Sequence, residues 1–209
     1  PDEDAEWLVS RGDSMIANSD PDFTDHVIDK VDTDEYRFLP FRSPAGKEIY
    51  DYGEKQKKLR EDHNMGDVMS MLLQPHKKGD KLSDLEFKNF FALMIAAGND
   101  TTRYSMASSI HAIANNPYIF NCLKSAPDDA SVWDSATEEF LRWASPTIHF
   151  RRTATEDYKL HGKQIREGDK VTIWFTSGNY DERKFSNPFN LILERENNNH
   201  IAFGQGGPH

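Results

Sequence analysis

Three short groups of residues in this chain have side-chain types and spacings that could do chemistry. Asp100 and Thr101 place an acid beside an alcohol within an apolar stretch, and such a pair can pass protons. Glu139 and Arg142 would share one face of a helix and could form an ion pair. The segment 203–209, FGQGGPH, is rich in glycine and ends in a histidine; it is called the glycine loop below. These groups indicate proton transfer, a structural ion pair and a loop that approaches a ligand closely.

Each group also has an ordinary structural interpretation. The run from Gly98 to Thr102 is poor helix material, so it could mark a helix break with Asp100 or Thr101 capping a second helix. The Glu139–Arg142 pair could be exposed, and would then contribute about a few tenths of a kcal/mol. The glycine loop could cradle a phosphate, although no Lys or Ser/Thr completes such a motif.

Arg151 and Arg152 lie next to each other in a segment that reads as a strand. Adjacent strand residues point to opposite faces, so only one of the two can face a ligand. A guanidinium in that place is suited to a carboxylate, because its planar fork can bind both oxygens. The two arginines could equally be solvent-facing strand charges. His209 could bind an anion or a metal, or simply be exposed.

The elements that must position these groups are mostly helices. Apolar periodicity and capping signals predict helices over 4–16, 45–63, 67–73, 83–114, from 116 through 123, and 134–143. Ser83 and Glu86 have the spacing of a capping box. The segment 83–114 is expected to be one buried helix with a local distortion at Gly98, because apolar residues flank it on both sides. Strands are predicted over 147–152, 158–161 and 171–175, separated by turns such as His161–Gly162. The fold is therefore predicted to be mainly α with a small β region.

Composition narrows the classes of partner and compartment. The chain has 209 residues and a formal net charge of −10, which argues against nucleic acid or an anionic membrane as its main partner. Its only cysteine, Cys122, excludes an intrachain disulfide and favours a reducing compartment, so a cytoplasmic location is expected. The longest apolar stretch, residues 90–97, is too short to span a bilayer.

In their order and spacing, the motifs AGNDTT at 97–102, EFLR at 139–142 and the glycine loop resemble those of the cytochrome P-450 family, the haem-thiolate monooxygenases. The resemblance implies that residues 1–209 are part of a single domain, from the family's F helix to the start of its haem-binding loop. In the family pattern Phe-Gly-x-x-Gly-x-His-x-Cys, the thiolate that binds iron would come two residues after His209. No residue of this chain is therefore expected to bind the metal.

The resemblance also implies a role for each motif. Asp100 and Thr101 would deliver protons during dioxygen cleavage, and Arg152 and His209 would bind the haem propionates. The residues expected to contact haem are Ala97, Gly98, Thr101, Arg152, Phe203 and His209. Those expected to contact substrate are Leu93, Ala96, Ala97 and Ile148. Those expected to stabilise the scaffold are Glu139, Arg142 and Arg195.

The activity implied by the resemblance is that of a bacterial-type monooxygenase. It would hydroxylate an apolar small molecule (an alkane, fatty acid, terpenoid or steroid-like compound) with dioxygen, using haem (iron protoporphyrin IX). Electrons would come from NAD(P)H through a ferredoxin reductase and a ferredoxin. One alternative is a haem-thiolate protein that uses peroxide or isomerises its substrate, against which the acid–alcohol pair speaks. Another is a non-catalytic relict or helical binding protein, since the 209 residues contain no thiolate at the expected position.

Overall fold

Helices dominate the computed structural model, which describes residues 4–17, 20–22, 36–61, 63–75 and 79–204. The chain divides into two compact units, Pro1–Asp100 and Thr101–His209. The described helices are α1 (Ala5–Ile16), α2 (Pro44–Glu61), α3 (Val68–Leu72), α4 (Asp84–Asn115), α5 (Pro117–Ser125), α6 (Ala130–Ala144) and α7 (Phe175–Asn179). The strands are β1 (His149–Thr153), β2 (Tyr158–Leu160), β3 (Lys163–Ile165) and β4 (Lys170–Trp174), and a short 3-10 helix covers Pro40–Arg42. The predicted fold class, mainly α with a small β region, is confirmed.

The core of the first unit forms where α1, α2 and α3 pack with the first half of α4. Its buried members are Met15, Ala45, Ile49, Met69, Phe87, Phe91, Ala92 and Ala96. Two glycines permit close approach: a Cβ on Gly53 would lie 2.7 Å from Cδ1 of Phe91, and one on Gly12 would lie 3.3 Å from Cγ2 of Ile95. Both α1 and α2 therefore hold the first half of α4 by direct backbone-to-side-chain packing.

The long helix α4 begins at the predicted capping box. The backbone N–H of Ser83 donates to Oε2 of Glu86 at 2.8 Å, and the N–H of Glu86 donates to Oγ of Ser83 at 3.3 Å. The helix then continues without a break through Gly98, so the helix break considered for this segment is not present. A physical reason is visible at Asn99, whose Nδ2 donates to Oδ1 of Asp13 at 3.2 Å rather than competing for the backbone of its own helix.

The second unit has its own core, built on the second half of α4, on α5 and α6, and on the coil that follows α7. Its buried apolar members are Ala112, Ile119, Leu123, Ala136, Phe140 and Leu193. Helix α6 begins at Ala130, four residues earlier than predicted, because the side chain of Asp129 caps it by accepting from the N–H of Ser131 at 3.0 Å. It ends at Ser145, which adopts a left-handed conformation with φ of 43°.

The strands form two separate antiparallel pairs, β1 with β4 and β2 with β3. In the first pair Arg152 lies opposite Val171, and in the second Leu160 lies opposite Lys163. The sequence did not predict β3, but it did predict the turn that creates it. His161 and Gly162 have φ of 46° and 79°, the combination of a two-residue hairpin turn, so the chain after the turn pairs back onto β2.

Some expectations fall on residues that the structure does not describe. His209 lies outside the described residues. The interpretation of residues 1–209 as part of a single domain stays a prediction. Within the described ranges, no helix combines the length and apolar character needed to cross a membrane.

Candidate functional site

The structure brings Glu139, Arg142 and Arg195 together in one buried ionic network. Arg142 binds Glu139 through two parallel hydrogen bonds, Nε to Oε2 at 2.8 Å and Nη2 to Oε1 at 2.9 Å. Arg195 adds a third, from Nε to Oε2 at 2.9 Å. The side chains of Glu139 and Arg142 are fully buried and that of Arg195 is 4% exposed, so the exposed surface pair considered for Glu139 and Arg142 is not what forms.

The same two guanidinium groups hold the coil that leads towards the glycine loop. Arg142 donates to the carbonyl oxygens of Asn179, Pro188 and Asn190, and Arg195 to those of Ser186, Asn187 and Asn190. Glu139 in turn accepts from the N–H of Ile192 at 2.9 Å and from Nδ2 of Asn198 at 3.2 Å. The network therefore satisfies its own buried charges and fixes the backbone of 186–198 to α6.

The ionisation of Glu139 follows from these contacts. Burial on its own would raise the pKa of this carboxyl, but hydrogen bonds from Arg142, Arg195 and the N–H of Ile192 outweigh it. Its pKa accordingly lies below the ordinary value, and the carboxylate is charged at neutral pH.

The predicted acid–alcohol pair lies in the middle of α4. Asp100 and Thr101 are consecutive residues of the helix and are both half-buried, whereas Thr102 is exposed. Just before the pair, Ala97 and Gly98 are exposed, and a Cβ on Gly98 would meet no atom within 4 Å. This part of α4 therefore has a surface of small side chains beside an acid and an alcohol, which a flat ligand could approach closely.

The four residues expected to contact substrate do not share one environment. Leu93 and Ile148 are each 57% exposed, and Ala97 is also exposed. Ala96 is 8% exposed and packs in the core of the first unit, and its expected contact with substrate stays a prediction.

Arg152 lies on β1 with its side chain exposed. Its guanidinium lies 5.6 Å from the centroid of the Phe150 ring, and Nη1 donates to the carbonyl oxygen of Arg151 at 3.2 Å. Among the described residues it has no carboxylate partner. An exposed cation beside an exposed aromatic ring fits a ligand that is flat and apolar and carries a carboxylate.

The first residues of the glycine loop are described, and their environment is open. Phe203 is 68% exposed, and Gly204 has φ of 80°, a left-handed conformation that favours glycine. The coil just before the loop is fixed, because the N–H of Ile201 donates to Oδ1 of Asn179 at 2.8 Å. A Cβ on Gly178 would also lie 2.5 Å from Cδ1 of Ile201, so the coil and α7 are in close contact.

Two residues of this region were missed by sequence reasoning. Asn179 is fully buried; it accepts from Arg142 through its carbonyl and donates from Nδ2 to Oγ of Ser145 at 2.8 Å. His200 connects α6 to the start of the glycine loop. No local signal identified His200, because its partner Glu138 is 62 residues away in sequence. No local signal identified Asn179, because its partners are distant in sequence.

The described residues fit the edges of a haem group. In the second unit, Arg152 offers a propionate a cation that has no carboxylate partner among the described residues, and Phe150 and Phe203 offer exposed aromatic rings. The one cysteine does not fit the role of iron ligand, since Cys122 is part of α5 and packs against the core of the second unit. The expected haem contacts stay a prediction, and Cys122 does not provide the axial ligand.

Comparison with known proteins gives relatives along the whole chain. The Steroid C26-monooxygenase of Mycobacterium tuberculosis is 32% identical over 209 residues, which cover 100% of this chain and 44% of the relative. The Methyl-branched lipid omega-hydroxylase of the same organism is 38% identical over 162 residues, covering 76% of this chain and 37% of that protein. The chain therefore spans less than half the length of these relatives.

Solved structures share the fold. A Mycobacterium marinum cytochrome P-450 in complex with pseudoionone has a TM-score of 0.80 at 32% identity, covering 100% of this chain and 48% of that one. A Bacillus megaterium cytochrome P-450 in complex with testosterone has a TM-score of 0.77 at 26% identity, covering 99% of this chain and 51% of that one. Residues 51–207 also match the family described as cytochrome P-450. The resemblance inferred from the motifs is thereby confirmed, and the chain belongs to the cytochrome P-450 family.

Proposed function

We propose that the polypeptide containing this chain is a haem-dependent monooxygenase that hydroxylates an apolar small molecule. The family match over residues 51–207 is the observation that carries this proposal. The relatives named as a steroid C26-monooxygenase and a methyl-branched lipid omega-hydroxylase support the reaction class, because both names describe oxygen insertion into an apolar compound. Bound haem would supply the activation of dioxygen.

The cofactor would be held by residues of several elements. Arg152 would bind one propionate through its guanidinium, which has no carboxylate partner among the described residues. His209 would bind a propionate as well. Phe203 would pack against the ring system, and Ala97 and Gly98 would let it approach α4 closely.

Proton delivery is the chemical role proposed for the pair on α4. Dioxygen cleavage in a monooxygenase consumes two protons for each oxygen atom that leaves as water. Asp100 would take protons from solvent, and the hydroxyl of Thr101 would form a hydrogen bond to the group that receives those protons. The half-buried position of both residues suits this role, because it limits the access of bulk water while leaving a polar route.

The scaffold role belongs to the network of Glu139, Arg142 and Arg195. These side chains would not touch substrate; they would fix the coil of 186–198 and so the start of the glycine loop. The placement of that loop matters, because small displacements of a positioned group lower the reaction rate.

The substrate class would be steroid-like or a long branched lipid. Leu93, Ala97 and Ile148 are apolar and exposed, which suits such a compound. Electrons would reach the haem from NAD(P)H through a ferredoxin reductase and a ferredoxin, and the enzyme would work in the cytoplasm.

A product assay tests the proposal. The polypeptide that the gene encodes would be incubated with NADPH, a bacterial ferredoxin and its reductase, and either a steroid or a methyl-branched fatty acid under isotopically labelled dioxygen. The proposal expects one labelled oxygen atom in a hydroxylated product. Label-free product, or product that forms only when peroxide is supplied, would favour a peroxide-using protein instead.

A further inference from the structure

His200 is a buried histidine with both ring nitrogens in use. Its side chain is 5% exposed, and Nε2 lies 2.8 Å from Oε2 of Glu138 on α6. On the other side of the ring, Nδ1 lies 3.2 Å from the backbone nitrogen of Ala202. The imidazole thus connects the surface of α6 with the residue just before the glycine loop.

The contacts define the tautomer of the ring. Because the N–H of Ala202 can only donate, Nδ1 must be the acceptor and carries no proton. The proton of the neutral ring is then on Nε2, which donates to the carboxylate of Glu138. Each nitrogen has one suitable partner, so the ring orientation is fixed by two hydrogen bonds in opposite directions.

The attachment of His200 is separate from the ionic network beside it. Glu139 reaches the coil through Arg195 and Asn198, whereas Glu138, the preceding residue of α6, reaches it through His200. After His200, the remaining ties are the N–H of Ile201 to Asn179 and the N–H of Gly204 to the carbonyl of Ile201 at 2.9 Å. Among the described residues, His200 is thus the last side chain that links the coil to α6 before the loop.

We propose that His200 is a positioning residue for the glycine loop, fixing Phe203 and Gly204 by joining the N–H of Ala202 to Glu138. The relevance of this placement to the cofactor rests on the proposed function, but the placement itself does not. Loss of the connection leaves the fold intact and loosens the loop.

Three substitutions in the gene-encoded polypeptide separate the two bonds. Glu138→Ala removes only the link to α6. His200→Asn also removes that link but keeps an acceptor for the N–H of Ala202, because an Asn side chain commonly accepts from the residue two positions later. His200→Phe removes both bonds. Asp134→Ala is the matched control, since it removes another exposed carboxylate from α6.

The direct measurement is hydrogen exchange of the backbone amides from Ala202 to Gly204. Glu138→Ala and His200→Asn should each speed exchange by about tenfold, because each removes a hydrogen bond to a charged carboxylate, and such bonds are among the stronger ones. His200→Phe should speed exchange by more, because it also removes the bond from the N–H of Ala202. The rate of haem loss to an acceptor protein, followed by the change in Soret absorption, should increase in the same order. The unfolding midpoint of Glu138→Ala should not change.

The outcomes separate this inference from the proposed function. If Glu138→Ala and both His200 variants exchange at the rate of Asp134→Ala, the positioning role is wrong, whether or not haem binds. Because Glu138 is 58% exposed, its substitution keeps the test valid even if His200→Phe does not fold. If the unaltered polypeptide binds no haem but the exchange order holds, the proposed function fails and the positioning role stands.

Discussion

Arg195 donates from Nε to Oε2 of Glu139 at 2.9 Å across 56 residues of sequence, in a place where both side chains are almost fully excluded from water. This bond joins α6 to the coil before the glycine loop. It also means that two guanidinium groups share one carboxylate, with backbone carbonyls completing their hydrogen bonds. A buried arrangement of this kind contributes little when intact and is costly to break, because each charge depends on the others.

Glu139→Gln should destabilise the protein by about 3–5 kcal/mol, since it leaves two buried guanidinium groups without a countercharge. The unfolding midpoint in urea measures the effect. Asp134→Asn is the control: it neutralises an exposed carboxyl on the same helix and should change stability by less than about 0.5 kcal/mol. If Glu139→Gln and Asp134→Asn change the free energy of unfolding equally, the ionic network does not stabilise the protein.

The contribution of the Glu139 carboxylate to the free energy of unfolding should depend on pH. Its pKa is lower in the folded state than in the unfolded chain, so the native state binds the proton less well. The stability that it contributes is therefore present above the ordinary pKa of a glutamate in the unfolded chain, and it is lost as pH falls through the lower pKa of the folded state. The stability difference between the unaltered protein and Glu139→Gln should shrink over this acid range. A difference that stays constant from neutral pH to acid would contradict the assignment.

Thr101→Ala should uncouple dioxygen consumption from product formation. Removal of the hydroxyl takes away the group proposed to hold the proton acceptor, while the carbonyl of Thr101 still accepts from Oγ of Ser105. Product formed per NADPH should fall by about tenfold or more, a typical loss for a proton-transfer group. Thr102→Ala, at the exposed neighbouring position, serves as the control. Unchanged coupling in Thr101→Ala would remove Thr101 from the mechanism.

Arg152→Ala should speed the loss of haem. The substitution removes charge-assisted hydrogen bonds to a propionate, and this loss corresponds to about 10–100-fold faster dissociation of haem. Arg151→Ala tests the alternative, because the adjacent strand residue points to the other face. Transfer of haem to an acceptor protein gives the rate. If Arg151→Ala has the larger effect, the cofactor-facing arginine has been assigned to the wrong face.

Sequence reasoning predicted the local features well because they depend on near neighbours. The capping box at Ser83 and the turn at His161–Gly162 are formed by residues within a few positions of one another. It placed the start of α6 too late, since the cap at Asp129 lies in a segment that reads as a polar loop.

The parts that sequence reasoning did not reach are held by long-range contacts to backbone groups. Arg142 binds the carbonyl oxygens of Asn179 and Pro188, and a carbonyl has no signature in the sequence. Arg195 was identified through the family resemblance rather than through its neighbours. The hydrogen bonds of Asn179 to Ser145 and to the N–H of Ile201 likewise depend on how the chain folds back.

The most direct test of the account is a haem titration of the polypeptide that the gene encodes, followed by its absorption spectrum. One haem should bind per polypeptide, and adding a steroid or a branched fatty acid should shift the Soret absorption as the compound reaches the cofactor. A folded polypeptide that binds no haem would contradict the monooxygenase proposal and leave a member of the family that has lost its chemistry.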